Sequence, residues 1–300
     1  MRPYVLMLFG AFAFAIMGAF AHAAGKYCSW QVIALARSVI ALSIVTTLAL
    51  KDRDKLVFIR PWSLWVRSLA GSMSILCNFY ALSHLPIADA LTLTNMFPVW
   101  IAVLSWPVLG KPPEAEVWLA LLLALFGVVL MQEAHLLHGS IGTLAAVTGS
   151  VTSAIALIGL HRLKRVAPNA VVAHFSTVSI LVVLFSTLIW PLEKSIASQV
   201  FASPKAFGLL IGTGIAATAG QMLLTRAFAS GAPTRVSVVQ LTQVLFAMIF
   251  DIVIWHRSFG AKSIAGMLLV IGPTVWLMLR RPASSSNEPR ESDDAIESSN

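Results

Sequence analysis

The sequence predicts an all-α polytopic membrane protein of ten transmembrane helices built from an inverted five-helix repeat. Three observations carry that reading. Apolar residues are 58% of the 300 residues and charged ones only 11%, with a mean hydropathy of +0.83, too little charge to solvate a soluble globule of this size. The apolar residues lie in long blocks rather than in the short alternating segments of a membrane β-barrel. The second half of the chain also echoes the first in the order of its residues.

In hydrocarbon every backbone N–H and C=O must be satisfied within the segment, so each block is read as a helix, and about 20 residues cross a ~30 Å core. The blocks are 4–24, 30–50, 61–83, 87–109, 115–133, 140–161, 169–190, 205–227, 233–255 and 259–279. Turn-forming residues punctuate them, as in 51–55, 110–113, 167–169, 203–204 and 230–233, and the joints leave no room for a soluble domain. Ala21-His22-Ala23 resembles a signal-peptidase site, but the basic region before it is only Arg2 and the amino terminus, so the first block is kept as a span. Residues 1–137 and 138–281 form the two repeats. From 282 to 300 the chain is rich in Ser, Asp and Glu and is expected to be a disordered cytoplasmic tail.

The net charge of +8 is scattered between the apolar blocks, which sets topology and gives no nucleic-acid surface. With both termini cytoplasmic, Arg2, Lys51, Arg53, Lys55, Arg60, Lys111, Arg162, Lys164, Arg165, Arg280 and Arg281 lie inside. Only Lys26, Lys194, Lys205, Arg257 and Lys262 then lie outside, the bias expected in a bacterial inner (plasma) membrane. Cys28 and Cys77 are isolated, and no metal-ligand spacing or cofactor motif occurs. Gly208 and Gly212 have the GxxxG spacing used in helix packing, compatible with a monomer or a homodimer.

At an offset of 145 residues Asn95 falls on Gln240, Ala102 on Ala247 and Gly127 on Gly272. Duplicates of five helices each have opposite topology because five is odd, a common basis for alternating access around a site near the midplane.

Arg67-Ser-Leu-Ala-Gly71, Phe79-Tyr-Ala-Leu-Ser83, Leu85-Pro-Ile-Ala-Asp-Ala90, Phe97-Pro-Val99 and Leu109-Gly110 together resemble the drug/metabolite transporter superfamily, specifically its EamA-like ten-helix branch. The resemblance spans about 4–280. Lys111 replaces a usual glutamate, although Glu114 follows, and Gln243 stands where a proline is common. The resemblance implies transport of amino acids, nucleotides, vitamins, drugs or other metabolites, without choosing among them.

Polar groups in a bilayer are expensive, so each needs a partner or a task. Asn95 and Gln240 can each donate and accept, and are the first candidates for substrate contact, with interhelical bonding as the alternative. Asn78, Gln221 and Gln243 join them. Arg37, expected to be deeper than Arg67, can hold a carboxylate or phosphate or pair with a protein acid. Tyr80, Phe97, Trp100 and Trp106 surround the polar run of the third and fourth helices, and Tyr80 and Trp100 are candidates for a cavity wall. Asp89 and Asp251 are candidates for proton coupling. Pro98 is expected to kink the fourth helix near mid-membrane by removing a backbone bond.

These features predict a secondary transporter of small metabolites, an exporter of amino acids or related compounds, contacting a small-molecule substrate and the lipid bilayer. The alternatives are an importer of a nucleotide- or vitamin-like metabolite, a channel, or a scaffold. No HExxH, GxSxG or protease-like aspartate pair points to an enzyme.

Overall fold

The computed structural model describes residues 2–57, 59–85, 87–110, 112–132, 141–189, 203–256 and 260–280. The predicted tail, Trp190, Lys111 and Arg257 lie outside them. The described residues form an all-α bundle: α1 (Arg2–Ala24), α2 (Trp30–Asp52), α3 (Trp62–His84), α4 (Ile87–Thr94), α5 (Phe97–Leu109), α6 (Ala115–Gln132), α7 (Ile141–Arg162), α8 (Pro168–Ile189), α9 (Pro204–Ser230), α10 (Pro233–Gln240), α11 (Thr242–Trp255) and α12 (Ala261–Leu279).

Among the described residues eight stretches are long and apolar enough to cross a membrane. Two predicted blocks fall outside these eight: α6 because it is shorter, and α3 because Arg67, Asn78 and several serines dilute it. Large side chains such as Phe9, Leu50, Leu122, Phe126, Leu144, Phe185, Leu188 and Leu268 are exposed around the bundle, an apolar surface that lipid covers and water would not.

Helices pair across the two halves of the chain. α1 packs on α9, α3 on α7, α2 on α8 and α6 on α12. Exchanging the halves carries several contacts onto others that are present: α1–α9 onto α7–α3, α2–α9 onto α8–α3, α1–α11 onto α7–α5, and α1–α10 onto α7–α4. This pattern suggests an internal duplication.

Two predicted blocks are not continuous helices. Block 87–109 divides into α4 and α5, and block 233–255 into α10 and α11. Hydropathy sees both as single spans because both sides of each division are apolar.

At the α6–α12 seam, backbone meets backbone. A Cβ on Gly127 would stand 2.6 Å from the Gly266 carbonyl oxygen, and one on Gly266 would stand 2.6 Å from that of Gly127. Small residues permit such approaches, which supply much of helix association in lipid. Gly266→Val is therefore expected to cost about 1–3 kcal/mol through overpacking. Gly272→Ala, with no atom within 4 Å of its Cβ, is expected to cost nothing measurable. Thermal unfolding of the two variants in detergent checks this; equal melting temperatures would contradict the seam.

Candidate functional site

The two helix divisions have the same hydrogen-bond pattern. At the first, the Met96 N–H donates to the Leu93 carbonyl at 3.2 Å and the Val99 N–H to that of Met96 at 3.0 Å. At the second, the Leu241 N–H donates to Val238 at 3.1 Å and the Val244 N–H to Leu241 at 3.0 Å. Each residue of the second set lies 145 positions after its counterpart. Both joints are single tightened turns with i→i−3 bonds in place of i→i−4 bonds, a local geometry associated with hinges. Pro98 lies in the first turn of α5 rather than inside a kinked helix. Its counterpart Gln243 accompanies the same turn without a proline, so proline alone does not cause the division.

The two broken spans meet at one end of the bundle only. α5 packs against α10, but among the described residues the exchanged pair, α4 and α11, has no such packing. The α5–α10 contact lies toward the end that holds Arg2, where one apolar cluster joins Tyr4, Met7, Ile101, Leu160, Phe228 and Val236. The far end has two separate, smaller clusters, one around Ala24, Cys28 and Leu210 and one around Ala81, Ala90 and Ala146. Among the described residues the packing is therefore continuous at the Arg2 end and divided between separate clusters at the other.

Polar contacts lock the shut end. Arg235, with a side chain 3% exposed, forms an ion pair with Glu114 and donates to the Arg280 carbonyl at 3.1 Å. Arg280 pairs with Glu116 at the surface, and Arg162 donates to the Val108 carbonyl at 2.6 Å. Arg235 thereby ties α10 to the α5–α6 joint and the end of α12.

The predicted site residues separate into groups. Asn95 uses its amide on its own helix, donating to the Leu91 carbonyl at 2.8 Å, whereas Gln240 buries Oε1 without a partner. The two thus hold equivalent positions in unlike environments. Asn78 and Trp100 converge on α7. Trp100 Nε1 donates to Ser150 Oγ at 2.9 Å, and Asn78 Oδ1 lies where a Cβ on Gly149 would be 2.3 Å away. Ser74 bonds Ser153 beside them. Tyr80 stacks on His84 at 4.0 Å between ring centroids. Gln221 is buried on α9, and Gln243 and Asp251 are half-buried on α11. Asp89 lies on α4, and its side chain is outside those described. Phe97 is buried, but Trp106 is 68% exposed and faces outward, so it does not join the predicted aromatic wall.

The two arginines reverse their expected order of burial. Arg67 is 3% exposed and Arg37 is half-buried. Arg67 folds along α3 so that its Nη1 would sit 2.3 Å from a Cβ on Gly71, and its guanidinium lies 4.3 Å from the centroid of the Phe175 ring on α8. Gly71 makes the seat and Phe175 supplies a cation–π face. A guanidinium at the centre of a membrane helix costs about 2.5–3.5 kcal/mol on insertion scales.

Sequence reasoning missed the contribution of α7. Gly149, Ser150 and Ser153 give Asn78 and Trp100 their contacts, and the signal available was the small and hydroxyl residues of Thr148-Gly-Ser-Val-Thr-Ser153 within an apolar block. It also missed the Arg235–Glu114 pair, although both residues were visible as charges beside apolar blocks.

A family model described as the EamA-like transporter family matches residues 1–132 and 140–279. The chain is 27% identical over 269 residues to a pseudopaline exporter of Pseudomonas aeruginosa (strain UCBPP-PA14), covering 89% of this chain and 92% of that one. It is 28% identical over 251 residues to a probable transport protein of Saccharomyces cerevisiae, covering 76% and 70%. Against solute carrier family 35 member G1 of Homo sapiens the identity is 24% over 238 residues, covering 74% and 63%. A crystal structure with 18% sequence identity matches with a TM-score of 0.79 over 92% of this chain and 96% of that chain, which shows a shared fold.

Breaking the Arg235–Glu114 pair leaves a buried cation short of a partner. Glu114→Gln is expected to lower stability by about 1–3 kcal/mol. Glu116→Gln, in a pair whose side chains are 53% and 36% exposed, is expected to cost at most about 1 kcal/mol. Melting temperatures of the two variants in detergent check the ranking; an equal or reversed order would contradict it.

Proposed function

We propose, from the premise that the chain belongs to the EamA-like transporter family, that it is a secondary transporter working by alternating access, which exports an amino acid or related small metabolite. Membership makes it a polytopic membrane transporter of small molecules rather than an enzyme. The finer reading rests on one observation: α5 packs on α10, whereas among the described residues its exchanged counterpart, α4 with α11, shows no such packing. Two halves that repeat several of their helix contacts on exchange, but not this one, correspond to one of two interchangeable states. In the other state α4 would close on α11 and α5 would leave α10.

On this reading residues 1–137 and 138–281 are inverted five-helix repeats, giving ten spans in an inner (plasma) membrane with both termini cytoplasmic. The structure then faces outward, and Arg235 with Glu114 holds the cytoplasmic gate. The tightened turns at Met96 and Leu241 are the hinges on which the half-helices swing. Gln240, with its unpartnered Oε1, and the Asn78–Trp100 group on α7 supply polar and aromatic contacts to substrate. Asp251, half-buried on α11, and Asp89 on α4 are the acids placed for proton coupling. The export direction is supported by the pseudopaline exporter among the relatives.

Reconstitution into liposomes, with a screen of radiolabelled amino acids, nucleotides and vitamins, tests the proposal. Saturable flux of an amino acid or a related compound is the expected result. Gln240→Ala is expected to reduce that flux about tenfold, as for one lost hydrogen bond of ~1.4 kcal/mol, with the melting temperature kept. Ohmic current, or no flux from folded protein, would contradict it.

A further inference from the structure

Four acids stand at the Arg2 end of the bundle among the described residues, and each is engaged. Glu114 pairs with Arg235 and Glu116 with Arg280. Asp52 Oδ2 and Asp54 Oδ2 both accept from Asn169 Nδ2, at 3.4 and 2.8 Å. Asn169 is buried in the first turn of α8, so these bonds hold both carboxylates at the start of that helix, where its dipole favours negative charge.

The cations around them are left without acids. Lys51, Arg53 and Lys55 alternate in sequence with the two aspartates, Arg60 follows in the same joint, and Lys164 and Arg165 lie in the joint before α8. All six are exposed, and none forms an ion pair among the described residues. Arg53 closes α2 in the left-handed region at φ 56, and the Asp54 N–H donates to the Ala49 carbonyl at 2.9 Å. Glycine or asparagine usually takes such a cap, so a turn made by arginine keeps a cation where a neutral residue would fit better. The bonds from Asn169 bring the two joints side by side and leave six unpaired cations at one end of the bundle.

The same stretch carries apolar anchors. Ile59 is 80% exposed, and Trp62, which opens α3, is 75% exposed. Tryptophan settles at the level of the lipid headgroups, with its ring toward hydrocarbon and its N–H toward water. Arg60 stands between these two in sequence, and exposed Leu50 immediately precedes Lys51 on α2. The boundary between hydrocarbon and water therefore passes through this surface, and its cations lie at the depth of lipid phosphates. Each lysine or arginine beside an anionic membrane surface strengthens binding about fivefold.

We infer that Lys51, Arg53, Lys55, Arg60, Lys164 and Arg165 form a docking surface for the headgroups of anionic phospholipids in the surrounding bilayer, with Ile59 and Trp62 anchored beside them. The binding does not depend on the transporter reading. Cations that serve only to orient the chain act during insertion and give the folded protein no preference among headgroups. This surface gives it one.

The probe is short-chain phosphatidylglycerol, with phosphatidylcholine of the same chains as the zwitterionic control, at constant ionic strength. Purified full-length protein in detergent is titrated and its thermal unfolding followed. Saturable stabilisation by phosphatidylglycerol that weakens with added salt, and none by phosphatidylcholine, is expected. Lys55→Gln with Arg60→Gln is expected to weaken the phosphatidylglycerol affinity at least about tenfold. Lys205→Gln with Lys262→Gln removes the same charge from exposed residues at the opposite end and is expected to leave that affinity within about twofold. Lys164→Gln with Arg165→Gln provides the test if the first double variant does not fold. No saturable stabilisation by phosphatidylglycerol, equal stabilisation by phosphatidylcholine, or equal weakening by the near and far double variants would overturn the surface. Saturable flux of a solute without any headgroup preference would leave transport standing and remove the surface. Headgroup preference without flux of any solute would do the reverse.

Discussion

A peptide group in hydrocarbon has no water to turn to, and the rest of this structure depends on that constraint. It makes each apolar block a helix and leaves irregular backbone only where protein or a wet cavity receives it. Against that background the turns at Met96 and Leu241 stand out. Each keeps N–H groups bonded by tightening one turn, so the helix is divided without leaving those donors to lipid. A division that preserves its hydrogen bonds can bend at low cost, and two of them 145 residues apart place bendable points in both halves.

On the proposed alternating-access reading, the bendable points serve the unequal packing of the two broken spans. The apolar cluster around Phe228 and Val236 and the ion pair of Arg235 with Glu114 hold α5 and α10 together at the Arg2 end. No equivalent cluster bridges α4 and α11 among the described residues. Hydrophobic contact is non-directional and gives the shut end most of its adhesion, while the ion pair of buried Arg235 with the partly exposed Glu114 fixes its register. An opening motion would have to break both together, which favours two discrete states over a continuum.

The apolar blocks were legible because hydropathy reports burial in lipid directly, and the offset of 145 residues that pairs Asn95 with Gln240 was legible in residue order, the same offset at which the two turns repeat their hydrogen bonds. The helix divisions were not, since they replace one hydrogen-bond register with another without changing apolar content. Pro98 drew attention to the right place for an incomplete reason, as Gln243 shows. The burial of Arg67 was misjudged because its position near the start of α3 suggests an end, whereas the side chain climbs along the helix into the gap that Gly71 leaves beneath Phe175. Trp106 was misplaced for the complementary reason: a residue near a polar run in sequence can still point to lipid. The role of Ser150 and Ser153 required knowing that α7 packs on both α3 and α5.

The central claim is that both helix divisions line one water-accessible path that is open at the far end. Cysteine accessibility tests it most directly. With Cys28 and Cys77, both free thiols, replaced by serine, single Asn95→Cys, Gln243→Cys and Val103→Cys variants would be exposed in oriented vesicles to a membrane-impermeant thiol reagent, which needs a hydrated thiolate. Val103, on the exposed face of α5, reports lipid. The account predicts rapid labelling at 95 and 243 from the far-end side and slow labelling at 103. Labelling at 95 and 243 no faster than at 103, from either side, would show a dry joint and contradict it.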